Sequence, residues 1–161
     1  MHLEFYTKDE YAQETFKKES AKVIELGKKG IQNLKASKSK IYGFDLNHFH
    51  LDSCRKTLEA LNLETCVELK KEDATKVRNS FGDHGVLICN PPYGERMGDE
   101  ENLNDLYYQL GEHFKKNFKG FRAFVFTGNL PLLKKIELRT SSKKIFFNGD
   151  IECRLARYNL F

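Results

Sequence analysis

Gly85-Val86-Leu87-Ile88-Cys89-Asn90-Pro91-Pro92-Tyr93 is the stretch that decides the fold. Its first five residues form an uninterrupted apolar run, which is what a strand covered on both faces of a parallel sheet requires. Asn90 and the two prolines stop it abruptly. Proline fixes φ and has no N–H for a sheet ladder, so the strand is predicted to end in a rigid turn.

The flanking sequence repeats the strand-and-helix alternation. Upstream, Ile41-Tyr42-Gly43-Phe44 reads as a short strand ending at Asp45, and Leu51, Cys54, Leu58 and Leu61 form one helical stripe. Residues 65–70 read as a second strand, with Asp73 and Ala74 just past its end. Downstream, Leu103, Leu106, Tyr107, Leu110 and Phe114 recur at helical spacing, and residues 121–127 form another apolar strand. Asn129 is placed to cap the next helix, with Pro131 tolerated in its first turn. Lys144-Ile145-Phe146-Phe147 and residues 151–158 flank Asn148-Gly149, a dipeptide suited to a hairpin. The prediction is an α/β fold whose sheet is mostly parallel, with one reversed strand in a C-terminal hairpin. Residues 7–36 read as a helix opening on a capping box of Thr7 and Glu10, weakened at its far end by Gly27 and Gly30.

Composition narrows the class. The chain has 161 residues, a length suited to one domain, with 27 Lys and Arg against 23 Asp and Glu for a net charge of +4. That balance permits RNA binding without demanding it. No apolar run is long enough to span a bilayer, and no signal-type segment opens the sequence, so no membrane association and a cytoplasmic location are expected. Cys54, Cys66, Cys89 and Cys153 are scattered, three of them in apolar surroundings, which suits reduced thiols rather than a disulfide framework or zinc site. His48, His50 and His113 lack metal-ligand spacing, so no metal is expected. The Lys-rich stretch from 28 to 40 reads first as solvated surface, whereas the basic cluster of Lys115, Lys116, Lys119 and Arg122 suits an RNA backbone or a solvated helix end about equally.

Ligands of open α/β sheets bind outside the carboxyl ends of strands, which selects Asp45, Asp73 and the turn at residues 90–93. A rigid turn that merely ends a strand is one reading of Asn-Pro-Pro-Tyr. A chemical reading is that the Asn90 side-chain oxygen and the Pro91 carbonyl accept the two hydrogens of an exocyclic base amine. Its nitrogen then presents a lone pair to an electrophile, with Pro92 stiffening the turn and Tyr93 stacking on the base.

At these residues the sequence resembles class I S-adenosylmethionine-dependent methyltransferases that modify nucleobase amines. The strings Tyr42-Gly-Phe-Asp-Leu-Asn47, Asn90-Pro-Pro-Tyr-Gly-Glu-Arg-Met97 and Asn148-Gly-Asp-Ile-Glu-Cys-Arg154 look most like the bacterial 23S ribosomal RNA guanine-N2 methyltransferases. The likeness covers roughly residues 40–161. It implies a Rossmann-like sheet, S-adenosylmethionine as cofactor and RNA as partner. It also implies that Asp45 takes the cofactor ribose, that Asp73 and Ala74 take its adenine, and that Asn90, Pro91, Pro92 and Tyr93 carry the chemistry, with Asn90 also at the cofactor. Family members usually carry a THUMP RNA-binding domain first, so the chain resembles the later part of such a protein. Residues 1–161 are expected to be a partial catalytic domain, with 1–39 a helical lead-in and 40–161 strand-helix repeats ending in the hairpin.

One part of the family pattern is missing. The first strand and its Gly-rich loop, of the type Asp-Pro-x-Cys-Gly-Ser-Gly-Thr, have no match here, so the strands ending at Asp45 and Asn90 are each expected to show an open edge. A partner chain or upstream segment supplying that strand is one resolution. A non-catalytic remnant or binding subunit is another, and a related motif serving adenine N6 or cytosine N4 is a third. Gly94-Glu95-Arg96 favours the guanine group among the enzymatic readings.

Overall fold

The computed structural model describes residues 10–36, 40–93 and 100–161. Thr7 and Gly94-Glu95-Arg96 lie outside the described residues. The chain divides into two compact units, Met1–Lys71 and Glu72–Phe161.

The first unit runs α1 (Glu10–Ala36), β1 (Ile41–Asp45), α2 (His48–Ala60) and β2 (Val67–Lys71). Helix α1 passes through Gly27 and Gly30 without ending, and open space surrounds both positions. Strands β1 and β2 pair in parallel, Ile41 opposite Val67 and Asp45 opposite Lys71. Asn47 caps α2, its side-chain oxygen accepting from Phe49 N–H at 3.0 Å. Of the predicted α2 stripe Leu51 is buried and Leu58 half-buried, whereas Cys54 and Leu61 are exposed. Strand β2 begins at Val67 rather than residue 65, because a turn closed by Cys66 N–H on the Leu63 carbonyl holds residues 64–66.

The second unit contains β3 (Val86–Cys89), α3 (Glu100–Asn117), β4 (Arg122–Thr127), α4 (Leu130–Lys135), β5 (Thr140–Asn148) and β6 (Ile151–Asn159). Its sheet has the order β3-β4-β6-β5, with β3 and β4 parallel and β6 antiparallel to both neighbours. One reversed strand in an otherwise parallel set is what the sequence predicted. The covered face carries Ala123, Val125 and Thr127 from β4 beside Ala156 and Tyr158 from β6, all buried. Leu103, Tyr107, Leu110 and Phe114 of α3 and Leu132, Leu133 and Ile136 at α4 complete this core. Burying such side chains stabilises by about 1.5–3 kcal/mol each.

Two details of the predicted hairpin shift. Strand β5 starts at Thr140, before the apolar run, because its polar first half pairs with β6 through the backbone across a bulge between Thr140 and Ser142. The two-residue loop is Gly149-Asp150, one step beyond Asn148-Gly149, since Asn148 still pairs with Ile151. Gly149 alone in the loop has positive φ, +59°, the pattern of a turn that needs glycine first.

Helices α3 and α4 meet at backbone contact. A Cβ on Gly111 lies 1.9 Å from the Ile136 carbonyl oxygen, so the two segments are this close only because residue 111 has no side chain. Gly111→Ala is expected to destabilise the chain by about 2 kcal/mol, overpacking outweighing the ~1 kcal/mol helix-propensity gain. Urea denaturation measures it, and a stabilised variant overturns the contact.

Both free strand edges that the sequence predicts are present. Among the described residues β1 pairs only with β2, and β3 only with β4. The run at 85–89 forms a strand but is not covered on both faces as its sequence suggested: among the described residues it is an edge strand, with Val86 48% and Ile88 76% exposed. No helix among the described residues is long and apolar enough to cross a membrane.

Candidate active site

In the first unit, Asp45 closes β1. Its Oδ1 accepts the Asn47 backbone N–H at 2.7 Å, and its Oδ2 lies 3.3 Å from His50 Nδ1. A carboxylate offers about four lone-pair positions, so these partners orient Asp45 and leave room for further hydrogens.

In the second unit, Asp73 lies two residues beyond β2. Its Oδ1 accepts from Thr75 N–H at 2.9 Å and from the Thr75 hydroxyl at 2.7 Å, while Lys76 Nζ is 3.2 Å from Oδ2. The Thr75 hydrogen bonds, foremost the hydroxyl, hold the Asp73 carboxyl below the usual carboxylate range. The exposed Ala74 lies in the turn that Asp73 closes.

The loop after Asp73 is fastened to α3 by His113. Its Nε2 donates to the Val77 carbonyl at 2.9 Å, and its Nδ1 accepts from Asn117 Nδ2 at 3.0 Å, a pairing that needs the neutral ring. Burial lowers the His113 pKa from its ordinary 6.5. The unfolded chain therefore takes up this proton first as pH falls, so stability is fully present above about 6.5 and declines below it. Unfolding free energies measured from pH 7.5 down to 5 are expected to fall, and His113→Gln is expected to flatten the slope. An unchanged slope overturns the assignment.

Asn90 follows β3 directly and is exposed, Pro91 is buried, and Pro92 and Tyr93 are half-buried. Pro91 thus anchors the turn while Asn90 remains open to a ligand. The Tyr93 ring is seated on the exit of the neighbouring strand. A Cβ on Gly128 meets Tyr93 Cε2 at 2.9 Å and Ile151 Cγ2 at 2.8 Å, so glycine at 128 is what lets the ring lie there. The residue before it, Thr127, is fully buried; its Oγ1 accepts from the Tyr107 hydroxyl at 2.8 Å and from Asn129 N–H at 3.1 Å. Burial pushes the Tyr107 phenol up to about 12, against the lowering effect of Thr127, with Cys89 and Tyr93 adding to the rise. It remains a hydrogen donor at any ordinary pH. As predicted, Asn129 caps α4, accepting from Leu132 N–H at 3.2 Å.

The second unit thus carries Asp73, Ala74 and residues 90–93, and the first carries Asp45. Reading from sequence missed Gly128 and the Tyr107–Thr127 bond; a glycine between a strand end and a capping asparagine was the available signal. Cys89, beside Asn90, has its thiol pushed up to about 12 by burial, which removes it as a nucleophile. Cys153 is buried, Cys66 and Cys89 half-buried and Cys54 exposed. No group of three potential metal ligands occurs among the described residues.

Comparison with known proteins identifies the family. Residues 6–157 match the family described as RMKL-like, methyltransferase domain. The chain is 35% identical over 122 residues to the ribosomal RNA large subunit methyltransferase K/L of Hydrogenovibrio crunogenus, covering 74% of this chain and 16% of that protein. The crystal structure of SMU.472 complexed with SAH is similar at TM-score 0.70 and 30% identity, over 75% of this chain and 32% of that one. A "possible methylase" from Clostridium difficile 630 is similar at TM-score 0.71 and 28% identity, over 78% and 33%. The chain spans about a fifth or less of the length of the curated relatives it matches.

Proposed function

We propose, from the premise that this chain belongs to the RMKL-like methyltransferase domain family, that it is the catalytic portion of an S-adenosylmethionine-dependent RNA methyltransferase. Its target is an exocyclic base amine, guanine N2 of 23S ribosomal RNA, which sets the activity in the cytoplasm. The observation that carries the reading is the turn at β3: an open Asn90, a buried Pro91 and a Tyr93 ring seated on Gly128. The ribosomal RNA name of the Hydrogenovibrio relative and the SAH bound by SMU.472 support substrate and cofactor. Residues 1–161 make up part of one catalytic domain, 1–39 its helical lead-in and 40–161 its strand-helix body.

The carboxylates suit the cofactor. Asp45 has acceptor positions left for two ribose hydroxyls, and Asp73 has one left for the adenine amine, with Ala74 in the same turn. S-adenosylmethionine supplies a methyl group on a sulfonium, ready for direct displacement by nitrogen. Asn90 Oδ1 and the Pro91 carbonyl hold the amine hydrogens, directing the nitrogen lone pair, and Asn90 borders the cofactor as well. Pro92 stiffens the turn, and Tyr93 fixes the base plane by stacking. A strand with a Gly-rich loop, supplied from outside these residues, completes the cofactor cradle; among the described residues β1 pairs only with β2 and β3 only with β4. Transfer of labelled methyl to ribosomal RNA, compared between the unsubstituted protein and Asn90→Ala, tests the assignment.

A further inference from the structure

We propose that the outer half of the β5–β6 hairpin is the docking surface for the RNA strand carrying the target base, with Arg154 and Lys143 facing phosphates and Phe147 facing a neighbouring base. The inference rests on the RNA methyltransferase reading and adds where on this chain the RNA lies.

Strand register places the three side chains together. Lys143 pairs opposite Ala156, Ile145 opposite Arg154 and Phe147 opposite Glu152, so all point to one side of the hairpin. Further in, the same side is the buried face of the sheet, because Ala156 pairs with Val125 and Arg154 with Thr127. Toward the tip it emerges into solvent, with Ile145 57% and Phe147 70% exposed and Lys143 exposed.

Arg154 supplies the second, independent observation. Its Nη2 is 2.8 Å from Glu152 Oε1, yet its Nη1 is buried with no acceptor among the described residues. A buried guanidinium donor without a partner is costly, and a phosphate oxygen becomes its acceptor once the Arg154 side chain, 21% exposed, turns outward from Glu152. The position is continuous with the proposed base site. Arg154 pairs with Thr127, and the next residue, Gly128, lies under the Tyr93 ring. Basic side chains interleaved with an exposed aromatic form the pattern that holds single-stranded nucleic acid by phosphate contact and stacking. The charge also argues against a protein strand as occupant. Lys143 and Lys144 lie on the outermost strand, where lysine blocks edge-to-edge pairing, whereas a polyanion is attracted.

The test is fluorescence anisotropy of the full chain with a short fluorescein-labelled single-stranded RNA over a range of salt concentrations. Phe147→Ala is expected to weaken binding roughly tenfold. Lys143→Gln and Arg154→Gln are each expected to reduce the slope of log affinity against log salt by about 0.7. Lys116→Gln, which removes a lysine already paired with Glu112 on α3, is expected to leave both unchanged. The exposed Lys143 and Phe147 variants decide the matter even if Arg154→Gln unfolds. Binding that all hairpin substitutions leave intact overturns the surface alone. Equal losses from Lys116→Gln, or self-association as the only property altered, also overturn it. No binding by the unsubstituted chain overturns the surface and the RNA reading together, while labelled methyl transfer to a free base amine still tests the chemistry separately.

Discussion

Asn90→Ala is expected to lower methyl transfer by about 10²- to 10³-fold, the loss typical of removing one preorganised hydrogen-bonding group from a reacting centre. A base amine conjugated with its ring is a poor nucleophile, so most of the acceleration has to come from orientation and from acceptors aimed at its hydrogens. Alanine keeps the turn, because Pro91 is buried and Asn90 is exposed, but leaves only the Pro91 carbonyl as acceptor. Stability is expected to change by no more than ~0.5 kcal/mol, as at other exposed positions. Asn90→Asp is expected to retain much more activity than Asn90→Ala, because the acceptor oxygen survives. Single-turnover rates with labelled S-adenosylmethionine measure the two activities, and urea denaturation measures the stability. A rate for Asn90→Ala within about threefold of the unsubstituted protein removes Asn90 from the chemistry.

Fusing a strand and Gly-rich loop of the family type ahead of residue 1 is expected to raise affinity for S-adenosylmethionine at least tenfold. The gain has a structural reason: among the described residues β1 and β3 each have an unpaired edge, and a Gly-rich loop adds backbone N–H groups that a side-chain-bearing loop holds too far from the ligand. Each ladder bond formed contributes about 1 kcal/mol net, while ordering each added residue costs about 1–2 kcal/mol, so a detached peptide binds weakly and a covalent fusion is the better test. Calorimetric titration measures the change, and ligand at a hundred times its dissociation constant is expected to add ~2.7 kcal/mol to unfolding stability. Asp45→Ala is expected to abolish most of the gain, because it removes the proposed ribose acceptor. An affinity that the fusion leaves unchanged argues for a binding subunit that retains the fold without turnover.

What was legible in the sequence was whatever local chemistry dictates. The apolar run at 85–89 had to be a strand, though it is not the covered one its composition suggested, two prolines had to end it, and Asn129 had the side chain to cap α4. The candidate site was legible for the same reason, since every residue in it sits at a strand exit marked by a change of composition. Features that depend on distant partners were hidden. Thr140, Ser141 and Ser142 have little apolar character and join β5 because β6 offers hydrogen bonds beside them. Gly111 looks like a flaw in a helix until the Ile136 carbonyl is found against it, and His113 gains meaning only from Val77 in the loop after β2. Gly128 belongs with these, because the ring it accommodates comes from residue 93.

The order of strands in the second unit has a consequence for how firmly the site is held. Pairing β5 with β6 closes a loop of two residues, whereas pairing β3 with β4 closes one of about thirty. With each doubling of loop length costing about 0.6 kcal/mol, the β3 pairing begins with a handicap of roughly 2.5 kcal/mol in chain entropy. It recovers this through four residue pairs on one side only, while β6 is held on both sides. Asn90 is therefore attached to the strand of this sheet expected to open at the lowest free energy, and the geometry proposed for it is expected to be lost in partial opening events that leave the hairpin untouched.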